Sequence, residues 1–161
     1  MKKIVSLLVL LVAITSCEED VKFNNPAVQG LKDDELWRAD DFDAVITASM
    51  DGTTLTVTAD NGFETVVLRT DDTDPGVYEL GNDDENTASY ASDIDGISEF
   101  YSTGTEIGNG QITISDKLSE TDLERGIISG TFRFNAVNEE GEVVNFQEGV
   151  FYRVPITVEV P

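Results

Sequence analysis

Two dipeptides, Asp51-Gly52 and Asn61-Gly62, stand inside a stretch rich in Val, Ile and Thr. Asp-Gly and Asn-Gly are the favoured pairs for two-residue type I′ hairpins, whose central residues both need positive φ. Such a turn fixes strand register, so each turn dictates which side chains share a face. The first hairpin is expected to set Ala48 opposite Leu55 and Ile46 opposite Val57. The second is expected to set Val57 opposite Val66 and Leu55 opposite Leu68. All of these are apolar. The other face reads Ser49-Thr54-Arg69, Thr47-Thr56-Val67 and Val45-Thr58-Thr65, which is mostly polar. Because side chains alternate with period two, a one-residue slip would exchange the faces. Two turns giving the same answer specify a three-stranded meander with one side buried.

The rest of the chain continues in this manner. Asp74-Pro75-Gly76 predicts a type II turn, with Pro setting φ and Gly supplying positive φ. It leads into Gly76–Leu80, where Tyr78 and Leu80 face inward. Thr87 to Ala91, Ile97 to Ser102 and Gly110 to Ser115 are further strand candidates. In the segment Ile128 to Ala136, a three-residue loop of Glu139, Glu140 and Gly141 pairs Ala136 with Val144 and Phe134 with Phe146. Extending that ladder would put Phe132 opposite Glu148, so a bulge is expected near Glu148-Gly149. A last strand runs from Phe151 to Val160. Asp116 to Arg125 is the one stretch with room for a helical turn. Many short strands at this spacing indicate an all-β fold. The expectation is an antiparallel β-sandwich of roughly eight to ten strands, with closure into a flattened barrel left open.

The first residues are organised differently. Lys2 and Lys3 precede a largely apolar run from Ile4 to Ile14, followed by Thr15-Ser16-Cys17. A basic tip, a short apolar stretch and small residues before a processing point form a secretory signal peptide. The run would span about 16 Å as a helix, against a hydrocarbon core of about 30 Å. Ile14-Thr15-Ser16-Cys17 resembles a lipobox, where bacterial processing acylates the cysteine and cuts before it. Residues 1–16 then form the signal peptide, 17–26 an acidic tether and 27–161 a single β-domain. Stable anchoring takes more than one acyl chain, which would make Cys17 a durable tether. It is also the only cysteine, so no internal disulfide can form. Glu18-Glu19-Asp20 resembles the acidic export signal that sends some Bacteroidota lipoproteins to the cell surface. The localisation expected is the outer membrane, on either face.

Charge and composition exclude several functions. Lys and Arg number 10 against 32 Asp and Glu, a net charge of −22, and removal of Lys2 and Lys3 takes it to −24. Such a field repels nucleic acid and anionic headgroups. There is no histidine, which removes Ser-His-Asp catalysis and histidine-ligated zinc. No phosphate-binding glycine loop of the required spacing occurs.

The opening Asn25-Pro26-Ala27-x-Gln29-Gly30 with Leu36-Trp37-Arg38-Ala39 resembles that of an uncharacterised family of Bacteroidota cell-envelope lipoproteins. So do Gly76-x-Tyr78-x-Leu80, Ala88-x-Tyr90, Gly110-x-Ile112-x-Ile114 and Ile128-Ser129-Gly130-Thr131-Phe132-x-Phe134. The resemblance implies a small lipidated all-β domain without assigned activity, and it carries over no catalytic residue.

The site candidates are few. Asp71, Asp72 and Asp74 are weak calcium candidates, as are Asp83-Asp84-Glu85 and Asp93-x-Asp95-Gly96, since hard cations take clustered oxygen ligands. Acidic residues at turns more often form the turn, and no cofactor is expected. Trp37, Tyr90, Phe100, Tyr101 and Tyr152 offer aromatic surface, with Trp37 placed in the core. Phe100 and Tyr101 are adjacent on a strand and point to opposite faces, so one of this ligand-binding pair should be exposed. The reading is a monomeric, non-catalytic interaction module held to the membrane by lipid. The alternatives are a glycan-binding accessory domain and a hydrolase using two carboxylates.

Overall fold

A computed structural model describes residues 25, 27–50 and 52–159. The proposed signal peptide, Cys17 and Glu18-Glu19-Asp20 lie outside the described residues. Eleven strands make up the domain: β1 (Ala27–Lys32), β2 (Glu35–Arg38), β3 (Asp41–Ser49), β4 (Gly52–Asp60), β5 (Glu64–Thr70), β6 (Gly76–Leu80), β7 (Thr87–Ile94), β8 (Ile97–Ser102), β9 (Asn109–Ile114), β10 (Ile127–Val137) and β11 (Val143–Glu159). This is more than the eight to ten expected. The segment from Asp116 to Arg125 forms turns and a bridge.

All eleven strands join one sheet in the order β2-β1-β11-β3-β4-β5-β7-β8-β10-β9-β6, and β10 also pairs with β11. The run from β11 through β3, β4, β5, β7 and β8 to β10 therefore returns to its start. The result is a sandwich-like flattened barrel, from which β2-β1 and β9-β6 extend as flaps. One pairing departs from the antiparallel expectation. β11 is long enough to bend away from β10 and continue beside β3, where Ile156–Glu159 lie parallel to Ala44–Thr47.

The meander forms with the predicted faces but a different register. β3 and β4 pair Ser49 with Gly52, Ile46 with Leu55 and Ala44 with Val57. β4 and β5 pair Asp60 with Thr65, Ala59 with Val66, Val57 with Leu68 and Leu55 with Thr70. Both hairpins are displaced by two residues from the pairing expected of Asp51-Gly52 and Asn61-Gly62. An even displacement preserves sidedness, and Ala44, Ile46, Leu55, Val57, Ala59, Val66 and Leu68 are all buried. The second loop widens because the Asn61 side chain accepts hydrogen bonds from the amides of Phe63 (3.1 Å) and Glu64 (2.8 Å). This is the local competition between side chain and backbone that asparagine sets up in turns.

The β10–β11 hairpin follows its sequence pattern. Ala136 faces Val144 and Phe134 faces Phe146, with Gly141 at φ 84°. The register shifts between Phe132 and Phe134, so that Phe132 faces Gly149 and Glu148 is expelled at φ 51°. The Asp74-Pro75-Gly76 bend, by contrast, is not a type II turn, since Gly76 is not among the positive-φ glycines.

One hydrophobic cluster fills the interior. Phe146 is its centre, stacked on Phe134 at 4.8 Å, in contact with Tyr90 at 5.6 Å and met edge-on by Trp37 at 5.7 Å. Trp37 is 3% exposed, as a core residue should be, and its Nε1 has no hydrogen-bond partner.

Candidate functional site

Alternation along the strands decides which aromatic residues reach solvent. Phe100 is 61% exposed and Tyr101 8% exposed. This splits the adjacent pair as period-two geometry requires and removes Tyr101 from the candidate ligand surface. Tyr101 instead packs on Tyr90 at 5.9 Å, and its hydroxyl donates to Glu99 at 3.3 Å.

Phe100 lines a groove of about 430 Å³ with Phe63, which is 67% exposed. The widened Asn61–Glu64 loop explains why Phe63 is there. A two-residue turn would have put Phe63 in a strand opposite Asp60, whereas the observed loop leaves it outside the β5 ladder. The loop is fastened to β7 by the Phe63 carbonyl, which accepts from the Asp93 amide at 2.8 Å. The rest of the lining is small or acidic: Gly62, Thr65, Ala91, Ser92 and Ser98, with Asp60, Asp93 and Glu99. Thr65, Ala91 and Phe100 are successive cross-strand neighbours. No Lys or Arg lines this groove. Phe63 was missed in the sequence because an aromatic residue after Asn-Gly reads as the start of the returning strand.

A larger groove of about 830 Å³ crosses the outer face of β6, β9, β10 and β11. Its floor is the cross-strand row Val77, Thr113, Thr131 and Val150, and the segment after β9 supplies Lys117 and Glu120 to it. These two pair with each other at 3.1 Å. The Ser115 hydroxyl donates to Glu120 at 2.8 Å. That bond, opposed by burial and assisted by Lys117, holds the Glu120 carboxyl below its ordinary range. Tyr152 also lines this groove.

A third polar assembly links the two layers. The Lys32 ammonium at the end of β1 bonds Glu64 at the start of β5 and the Tyr90 hydroxyl at 3.0 Å, and it sits 5.0 Å from the Tyr90 ring centroid. Tyr90 donates to the same carboxylate at 2.5 Å and Asn61 Nδ2 at 2.9 Å. Burial pushes the Glu64 carboxyl up, but hydrogen bonds from Lys32, Tyr90 and Asn61 prevail and leave it lowered. Burial likewise disfavours charged Lys32, and its bonds to Glu64 and Tyr90 leave it raised.

The calcium candidates are not drawn into a cage. Among the described residues no group of three acidic side chains is placed to hold a metal ion. Asp72 instead accepts from the Thr73 amide at 2.6 Å, and the Tyr78 hydroxyl donates to the Asp74 carbonyl at 2.6 Å. Burial, with the negative charge of Asp72, Asp71 and Asp74, pushes Tyr78 up to about 12. Asp83 accepts from the amides of Glu85 and Asn86, and Asp84 from the amide of Thr105. These are turn-forming roles.

These elements define the class: a small all-β domain built on a single mixed sheet. The chain belongs to a family described as a domain of unknown function, DUF6252, which matches residues 24–155. Comparisons with curated proteins and with solved structures give no match.

Proposed function

We propose that this chain is a lipid-anchored, non-catalytic binding module of the bacterial outer membrane, tethered through Cys17. The lipobox-like junction and the resemblance to Bacteroidota envelope lipoproteins support the anchor. The observation that carries the binding role is the placement of Phe63 and Phe100, both exposed, in one groove whose other lining is small or acidic. Phenyl rings are normally the most valuable core material, and here two are spent on a surface. A glycosidase-type general acid needs its carboxyl raised. Glu64 and Glu120 are both shifted downward, so neither is held in the protonated form that role needs.

A glycan-binding reading draws on the same pair of rings, each of which offers an apolar face to a sugar. The anchor is tested by mass spectrometry of native protein and by fractionation of Cys17→Ser. The expected results are an acylated N-terminus at residue 17 and a move of the variant from membrane to soluble fractions. An unprocessed Met1, or a variant that stays with the membrane, would refute the tether. The binding role is tested by screening the purified full chain against envelope proteins and oligosaccharides, with Phe63→Ala and Phe100→Ala in parallel. Loss of a detected ligand in both variants supports it, and ligands indifferent to both rings oppose it.

A further inference from the structure

The end of the molecule that holds the Phe63–Phe100 groove carries more apolar surface than the groove itself. Ile94 and Ile97 are cross-strand partners beside the Asp95-Gly96 tip of the β7–β8 hairpin, and both are exposed. By strand alternation they lie on the face of that hairpin opposite Phe100. The apolar surface of the groove itself is therefore the two phenyl rings, and Ile94 and Ile97 lie outside it. The charge is one-sided as well. No Lys or Arg lines the groove, Asp60 and Asp93 fall on the Phe100 face of the ladder, and Glu99 turns to the other face toward Tyr101, in a chain of net charge −22. An anion would be repelled and a neutral sugar would gain nothing from this field. A cationic side chain gains from both features, because phenyl faces attract cations. The aliphatic stem of Lys or Arg would cover the rings while its head meets the carboxylates.

We propose that the Phe63–Phe100 groove receives a lysine- or arginine-bearing segment of a partner protein. The inference rests on the binding-module reading and adds the chemistry of the ligand. Its test is titration of the purified full chain with a nona-arginine peptide at low and physiological ionic strength. Phe63→Ala and Phe100→Ala should each weaken binding about tenfold, as central aromatic contacts do. Both side chains are exposed, so an unchanged circular dichroism spectrum verifies that the variants fold. Asp60→Asn with Asp93→Asn, which keeps an oxygen acceptor at both positions, should weaken binding and reduce its salt dependence. Asp71→Asn with Asp74→Asn removes as much charge beyond the far end of β5, and should leave affinity within about twofold if a local site dominates. Equal losses from the near and far charge pairs would mean diffuse attraction to an acidic protein and overturn the proposal. A neutral chito-oligosaccharide that binds with the same dependence on Phe63 and Phe100, without salt dependence, would also overturn it. That second outcome would leave the binding-module reading intact.

Discussion

Glu64 shows how one side chain can couple two layers and two pH limits. Its carboxyl is lowered from an ordinary value of 4.5, so the stability it adds is complete above that value and lost as pH falls through the lowered one. Lys32 is raised from 10.5, so its contribution is complete below that value and lost as pH rises through the raised one. Denaturant unfolding across pH should therefore give a plateau between these limits. Glu64→Gln should lower stability near pH 7 by about 2 kcal/mol, in the range of hydrogen bonds to charged groups, and should flatten the acid limb. An unchanged acid limb would mean that other carboxylates govern acid unfolding. Gly130 makes a steric point at the same scale. A Cβ there would overlap the Thr113 carbonyl and the Phe151 ring. Gly130→Ala should cost about 3 kcal/mol by overpacking, read as a fall in denaturation midpoint.

At the scale of strands and hairpins, sidedness was legible and register only partly so. Leu55, Val57 and Leu68 reveal their inward face by alternation alone, which any even displacement leaves intact. The loop around Asn61 was not legible as Asn-Gly, because the outcome depended on the Asn61 side chain capturing two amides. The β10–β11 hairpin could be read as far as its first bulge, since placing Glu148 against Phe132 would have buried a charge, whereas the second shift between Ile128 and Gly130, with Arg153 at φ 49°, was not foreseen. The packing of Trp37 against Phe146 joins strands far apart in sequence, and no local pattern encodes it. Phe146→Ala should therefore remove about 3–5 kcal/mol, measurable by chemical denaturation. A small effect would show that the aromatic cluster can collapse into the space.

For the molecule as a whole, β11 holds the architecture together. Its first half lies between β1 and β10, and its last residues bring β3 alongside. A chain ended at residue 155 would lose the Ile156–Glu159 pairing with β3. It should unfold at markedly lower denaturant concentration and show faster amide exchange in β3. Preservation of both would mean that the parallel pairing contributes little. The parallel crossover was not legible because its partners are more than a hundred positions apart and hairpin reasoning considers neighbours. The exposed Phe63 was missed for a related reason: its position follows from how one loop is fastened to β7.

The circuit of strands is completed between β8 and β10 by Val137 and Ser102 alone, whereas the adjoining β7–β8 and β10–β11 ladders are continuous or nearly so. A garment fastened by one button opens there before its cloth tears. The β5–β7 and β7–β8 ladders that carry the groove are continuous, so a parting at that seam would loosen the wall beyond Ser102 and leave Thr65, Ala91 and Phe100 in register.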